Sequence, residues 1–112
     1  MKSESAAGGF VRVCSVADLP DPGKTIVKAG DRTAALFHVS GHFWATDDRC
    51  THDGGQLVAG GLKGYIITCP RHGARFDIRT GEVLSQPASV DLAVHEVKIE
   101  ADNVYIRLSE DL

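Results

Sequence analysis

Both the architecture and the chemistry of this chain depend on one segment, CTHDGGQLVAGGLKGYIITCPRHG, residues 50–73. It opens with Cys50-Thr51-His52 and closes with Cys69-Pro70-Arg71-His72-Gly73, so sixteen residues separate the two Cys/His pairs. A lone Cys or His in a loop is usually a packing or surface residue, but two such pairs around one segment rarely arise by chance. The segment is long enough to bring two loops together, and two thiolates with two imidazoles make a complete set of four metal ligands.

Most of the chain is a series of short predicted strands, one of which, 65–68, lies inside this segment. Twelve glycines and four prolines punctuate it, and no window of about twelve residues has a helical period. Ser40-Gly41, 79–81 and 101–103 are predicted hairpin turns, and 16–19 has room for one helical turn. The predicted strands are 10–14, 25–27, 33–39, 42–46, 65–68, 74–78, 82–84, 94–100 and 104–108. This spacing predicts an all-β sandwich or small barrel, while 47–64 fits no strand and its Gly60 and Gly61 are predicted to be ordinary turn glycines.

The composition excludes several classes of function. With 112 residues the chain is expected to form one domain over 10–108, between flexible tails at 1–9 and 109–112. Twelve Lys and Arg against fifteen Asp and Glu give a net charge of −3, which argues against nucleic acid or an anionic membrane as a partner. Residues 1–9 lack the apolar core of a signal peptide, and no run reaches the roughly 20 apolar residues of a membrane span. Three cysteines suit a metal site in the cytoplasm better than a disulfide framework.

The ligand types leave two kinds of metal centre open. Two Cys and two His suit a tetrahedral zinc ion, although zinc sites usually pair Cys with Cys and His with His at gaps of two to five residues. Here each loop supplies one Cys and one His, and the first gap is a single residue. A binuclear iron–sulfur cluster explains this better, because its two irons can divide the ligands by type.

The pattern C-x-H-x16-C-x-x-H resembles the Rieske [2Fe-2S] family, in which two His replace two Cys on one iron. Cys69-Pro70-x-His72-Gly73 and Phe76-Asp77-x-x-Thr80-Gly81 strengthen the resemblance, which extends over most of the chain and is greatest to the small ferredoxins of bacterial ring-hydroxylating oxygenases. It implies an antiparallel β-sandwich with a small cluster-binding subdomain formed by two loops. It also implies one [2Fe-2S] cluster per chain, with Cys50 and Cys69 on one iron and His52 and His72 on the other.

The resemblance further implies a cluster of low potential within the family. The oxidised cluster has a net charge of zero, because two Fe³⁺ balance two sulfides and two thiolates. Rieske centres therefore accept an electron more easily than all-thiolate clusters do. High-potential members add a disulfide between the cluster loops, but Gly55 and Arg71 stand at the corresponding positions. Those members also carry Ser and Tyr hydroxyls that hydrogen-bond sulfur, whereas Ala74 and Phe76 stand here. Fewer donors to sulfur lower the potential.

What the resemblance implies about function is a one-electron carrier that is not itself an enzyme. Its expected partners are a flavin-dependent ferredoxin reductase and a terminal oxygenase, bound transiently by a monomer. Two alternatives stay open: a fixed Rieske subunit of a nitrite-reductase-like enzyme, and a zinc-binding interaction module. Gly54, Gly55 and Gly73 are expected either to let backbone N–H groups approach the cluster or to adopt positive φ, and Pro87 resembles the family's third loop, which covers the cluster.

The other chemically notable residues are expected to be structural. Cys14 lies in an alternating strand without a partner, as a small core residue does. His38 and His95 lie inside predicted strands, and His42, next to a turn, is expected to be exposed. Phe43 and Trp44 lie on opposite faces of one strand, so at least one belongs to the core.

Overall fold

The fold consists almost entirely of short antiparallel strands. The computed structural model describes residues 5–6, 9–49, 56–70, 73–85 and 90–109. Within those residues one short 3₁₀ turn, Val16–Asp18, follows the second strand. The strands are β1 (Ser5–Ala6), β2 (Phe10–Ser15), β3 (Gly23–Ala29), β4 (Arg32–Val39), β5 (His42–Thr46), β6 (Gly61–Lys63), β7 (Ile66–Thr68), β8 (Arg75–Asp77), β9 (Val94–Glu100) and β10 (Asn103–Arg107).

Seven strands form one antiparallel sheet in the order β1-β2-β10-β9-β5-β4-β3. The sheet closes upon itself, because β2 and β3 lie in contact although they are far apart in this order. Two tight hairpins set its register. Ser40 and Gly41 join β4 to β5 with φ of 54° and 82°, and Ala101 and Asp102 join β9 to β10 with φ of 52° and 64°. Positive φ at both central residues defines the turn that matches strand twist. The second turn therefore has two residues, and Asn103, which the sequence placed in the turn, begins β10.

The remaining strands form a small sheet in the order β6-β7-β8. The prediction that 47–64 contains no strand was wrong for β6. Three residues next to glycines show no alternation of apolar and polar side chains, and they form a strand because they pair with β7. The predicted strand at 82–84 forms only in part. Phe76 and Val83 make one isolated bridge, and Leu84 N–H donates to the Arg75 carbonyl at 2.7 Å.

β4 separates two hydrophobic cores. Its apolar run is buried on both faces, since alternate side chains of a strand point in opposite directions. Ala34 and Leu36 enter a core inside the large sheet, whereas Ala35 and Phe37 enter a second core, which we call the interface core, between the two sheets. The buried members of the interface core are Ala35, Phe37, Val39, Leu57, Ile67, Cys69, Ala74, Phe76, Ile78 and Leu92. Burial of these side chains fixes the small sheet on the large one.

Phe43 and Trp44 pack as their sequence positions predicted, and the N-terminal segment contributes a short strand. Phe43 packs against the core of the large sheet and Trp44 against the interface core, as their alternation predicted. Ser5–Ala6 pairs with β2, so the large sheet begins inside the segment expected to be a tail. No helix among the described residues is both long enough and apolar enough to cross a membrane.

Candidate metal centre

The four predicted ligands are unequally represented. Cys69 lies directly after β7, is 1% exposed and has a free thiol. Cys50, His52 and His72 lie outside the described residues, as do Gly54, Gly55, Arg71 and Pro87. Among the described residues, no three His, Cys, Asp or Glu side chains lie close enough together to hold a metal ion. The geometry of the centre is therefore built from Cys69 and from the chain on either side of each ligand pair.

A tight hairpin holds Cys69. The ladder of β7 and β8 pairs Thr68 with Arg75, and Cys69 N–H continues it by donating to the Ala74 carbonyl at 2.7 Å. Gly73 N–H donates back to the Cys69 carbonyl at 3.1 Å. Gly73 has φ of 80° with open space where a Cβ would stand, so it is required for its backbone conformation and not for a close approach. Cys69 thus lies in a turn that is closed by two backbone hydrogen bonds.

The chain on both sides of the first ligand pair is tied together. Asp48 Oδ1 accepts a hydrogen bond from Val58 N–H at 2.8 Å. Two residues later, Gly60 N–H donates to the Leu57 carbonyl at 2.9 Å and closes a turn. Leu57 is buried in the interface core. The chain before residue 50 and the chain after residue 55 are therefore joined in one closed neck.

Gly60 brings this neck against the Cys69 hairpin. A Cβ at Gly60 would lie 1.7 Å from the Thr68 carbonyl oxygen and 3.2 Å from Pro70 Cδ. No side chain fits there, so glycine is required by the close approach of two backbones. The prediction of an ordinary turn glycine was wrong for Gly60. It was also wrong for Gly61, which begins β6; a Cβ built there would have no atom within 4 Å.

Apolar side chains surround Cys69 on the protein side. Ala74 lies across the hairpin from Cys69, and both are buried in the interface core with Phe76, which is 0% exposed. Neither Ala74 nor Phe76 carries a hydroxyl, so neither side chain can donate a hydrogen bond to a sulfur atom. The structure thus gives the two residues that the resemblance singled out a common apolar environment next to Cys69.

A charged staple closes the opposite end of the small sheet. Arg79 donates to the Asp77 carboxylate through Nη2 at 2.9 Å and Nε at 3.1 Å, and its guanidinium lies 4.1 Å from the centre of the Tyr65 ring. Donation from Arg79 lowers the pKa of Asp77 below its ordinary value. This staple holds the end of the β7–β8 hairpin remote from Cys69.

The residues expected to be structural have well-defined surroundings. His38 Nδ1 donates to the Leu19 carbonyl at 2.8 Å, and His42 is exposed. Burial raises the pKa of the Cys14 thiol, and Cys14 packs on the core of the large sheet. His95 is more closely connected to the centre than the sequence indicated. Its Nε2 makes a hydrogen bond of 3.0 Å to Oδ1 of Asp47, which stands three residues before Cys50.

Sequence reasoning missed Asp47, Asp48 and Gly60 as residues that shape the centre. A signal was present for Asp48, since Asp side chains commonly accept hydrogen bonds from loop backbone and Asp48 stands two residues before Cys50. Asp47 accepts from the distant His95 ring, which no local pattern indicates. Nothing in the sequence distinguished Gly60 from Gly61, because the approach of Thr68 depends on how the two sheets pack.

The described surroundings of Cys69 fit an iron–sulfur ligand. Its thiol is buried and free of a disulfide, and the chain around it is held by backbone bonds. Residues 9–96 match the family described as the Rieske [2Fe-2S] domain. The chain belongs to the Rieske [2Fe-2S] family. Its cofactor is accordingly a [2Fe-2S] cluster, and its all-β fold is that of Rieske ferredoxins.

Rieske ferredoxins resemble this chain over nearly their whole length. The 3-phenylpropionate/cinnamic acid dioxygenase ferredoxin subunit of Photorhabdus laumondii is 40% identical over 100 residues, which are 88% of this chain and 94% of that one. The ferredoxin of Sphingomonas yanoikuyae B1 superposes with a TM-score of 0.83 at 34% identity, covering 89% of this chain and 99% of that one. A chain in the complex of reduced oxygenase and oxidized ferredoxin of carbazole 1,9a-dioxygenase gives a TM-score of 0.85 at 34% identity, over 93% and 97% of the two chains. The relatives named as ferredoxin components, which this chain matches over most of their length, are electron-transfer subunits of dioxygenase systems and not the catalytic enzymes.

Proposed function

We propose that this chain is a monomeric one-electron carrier that works in the cytoplasm between a flavin-dependent ferredoxin reductase and a terminal oxygenase. Its low-potential Rieske cluster is held by Cys50 and Cys69 on one iron and by His52 and His72 on the other. The observation that carries the proposal is the 40% identity to a dioxygenase ferredoxin subunit, which this chain matches over 94% of its length. A solved complex of a similar ferredoxin with its oxygenase supports the choice of the second partner.

The cluster and the residues around it have different roles in such a carrier. When bound, the cluster supplies the capacity to accept and release one electron. The hairpin bonds of Cys69 and the neck at Asp48 keep the two ligand segments in place, so little rearrangement accompanies electron transfer. The interface core excludes water from the Cys69 side of the centre, because Leu57, Ala74 and Phe76 are each 0% exposed.

Metal analysis of the purified holoprotein tests the proposal most directly. We expect iron and acid-labile sulfide in equal amounts, a red-brown colour, and a rhombic electron-spin signal on reduction. A colourless protein that contains zinc and no iron would contradict the proposal and support the zinc-binding alternative. With a purified reductase and oxygenase, adding this chain should restore NAD(P)H-dependent turnover. Obligate co-elution with a larger enzyme would instead favour a fixed subunit.

A change at His72 tests the proposed imidazole ligands. His72→Cys should lower the midpoint potential by about 100 mV or more, because a thiolate adds negative charge and makes the site more like the all-cysteine clusters of plant-type ferredoxins, which lie near −400 mV. His42→Cys is the matched control, since it introduces the same side chain at an exposed position on β5. Protein-film voltammetry measures both. An unchanged potential in a verified His72→Cys cluster would exclude His72 as a ligand.

A hydroxyl at Ala74 should raise the midpoint potential. Ala74→Ser places a donor across the hairpin from Cys69, and an O–H···S bond stabilises the reduced centre more than the oxidised one. A difference of about 1 kcal/mol between the two states corresponds to about 40 mV for one electron. Ala35→Ser is the control, because Ala35 is equally buried in the interface core but lies on β4. Equal shifts in the two variants would show that any buried hydroxyl acts alike, against a specific bond to sulfur.

A further inference from the structure

His95 on β9 is a buried histidine with partners on both ring nitrogens. Its side chain is 0% exposed. Ser109 N–H lies 3.0 Å from Nδ1, and Asp47 Oδ1 lies 3.0 Å from Nε2. Because a backbone N–H can only donate, Nδ1 must be the acceptor, so Nε2 carries the hydrogen and donates to the carboxylate. The two bonds fix His95 as a single neutral tautomer.

Asp47 is the first residue after β5 on the way to Cys50. Its N–H donates to the Ala93 carbonyl at 3.0 Å, and its carboxylate accepts from His95. Arg32 Nη2 approaches the same oxygen at 3.8 Å, but that side chain is 45% exposed, so its pairing with Asp47 contributes little. His95 therefore provides the buried side-chain anchor that fixes Asp47 to the large sheet.

The anchor at Asp47 and the neck at Asp48 act on adjacent residues. Asp48 accepts from Val58 N–H and so ties the outgoing chain to the returning chain. The Asp47 N–H bond to Ala93 and the burial of Leu57 already restrain the backbone of this neck. The bond from His95 adds a side-chain restraint at Asp47, because it joins that carboxylate to β9, which is paired with β5 through Ala45 and His95.

We propose that His95 is a positioning residue for the [2Fe-2S] cluster: through Asp47 it fixes the direction in which the chain leaves β5, and thereby the placement of Cys50 and His52. This rests on the proposed ligand roles of those two residues. Loss of the anchor loosens the first ligand segment and admits water. Water favours the more highly charged form of a group, which here is the reduced centre, so the midpoint potential rises.

Substitution of His95 by Gln, Asn or Leu distinguishes the effects of its two hydrogen bonds. Gln places an amide N–H near the position of Nε2 and keeps a donor for Asp47, whereas Asn places an oxygen near Nδ1 and keeps an acceptor for Ser109. Leu retains bulk and neither bond. We expect H95Q to keep the wild-type potential, while H95N and H95L raise the equilibrium constant for reduction about threefold, which is about 28 mV at 59 mV per decade.

A second readout does not require the cluster. Amide hydrogen exchange of Asp47 should become about tenfold faster in H95N and H95L and stay unchanged in H95Q, because only the first two lose the bond to the carboxylate. His38→Leu is the matched control. His38 is also largely buried, at 14% side-chain exposure, but its hydrogen bond goes to the Leu19 carbonyl. H38L should therefore lower the melting temperature without changing the midpoint potential or the amide exchange rate of Asp47.

The outcomes separate the proposal from its alternatives. If all three His95 variants lose stability while the potential stays at the wild-type value, His95 is only structural and the proposal is wrong. If H95L does not fold, the contrast between H95Q and H95N decides the question by itself. If wild-type protein holds no iron, the proposed function fails. In that case Asp47 exchange still reports whether His95 fixes the departure from β5, but the role toward a cluster is refuted.

Discussion

Gly60→Ala should lower the free energy of unfolding by about 3 kcal/mol, at the upper end of the cost of overpacking. The new Cβ would lie 1.7 Å from the Thr68 carbonyl oxygen, which is backbone and cannot rotate away. Either the turn at Gly60 or the end of β7 must move, and Cys69 follows Thr68 directly. The cluster content of the purified protein should therefore fall together with its stability. Urea denaturation and iron analysis measure the two effects.

Gly61→Ala is the matched control for this substitution. Gly61 has no atom within 4 Å of a built Cβ and adopts a strand conformation in β6. Alanine restricts the unfolded chain, so the variant should be as stable as the wild type or up to about 1 kcal/mol more stable. Equal destabilisation by the two substitutions would show that the close contact at Gly60 is not what requires glycine.

Cys69→Ser should abolish the cluster. Loss of an outer-sphere partner already costs about 10–100-fold in metal affinity, and loss of a ligand itself costs more. Serine replaces a soft thiolate with a hydroxyl inside the interface core, where Cys69 is 1% exposed. We expect colourless protein without acid-labile sulfide, and a folded large sheet by circular dichroism, since that sheet has its own core.

Cys14→Ser is the control for Cys69→Ser, because it makes the same chemical change on β2. Cys14 packs on the core of the large sheet and its thiol has a pKa raised by burial, so its replacement should cost some stability and leave iron and sulfide intact. A full cluster in the Cys69→Ser protein would overturn the ligand assignment for Cys69.

The strands of the large sheet other than β1 could be predicted because their signals are local. The run at 33–39 and the Ser40-Gly41 turn specify β4 and β5 by themselves. β6 could not be predicted, because its three residues become a strand only by pairing with β7. The end of the β9–β10 turn was misplaced by one residue, since Asp102 adopts positive φ and so leaves Asn103 free to join β10.

The kind of cofactor could be predicted from the sequence, but the structure that supports its candidate ligands could not. Metal ligands are recognised by residue type and spacing, which a sequence displays directly. The anchors of the ligand segments depend instead on contacts between distant elements. His95 reaches Asp47 across 48 residues, and Gly60 is defined by the approach of Thr68. Neither relation has a local pattern, so His95 was interpreted only as a structural histidine.

The two ligand segments also differ in when their supports become available during translation. Nearly everything that holds the Cys69 hairpin precedes Ser85 in the chain, and the N-terminal part of a chain leaves the ribosome first. By contrast, the hydrogen bonds of the Asp47 N–H and carboxylate form only after Ala93 and His95 have left the ribosome. We expect stalled nascent chains ending beyond Ser85 to protect Cys69 from a thiol reagent, while cofactor insertion waits until β9 has emerged. Iron delivery to this protein would then be a late, post-translational step.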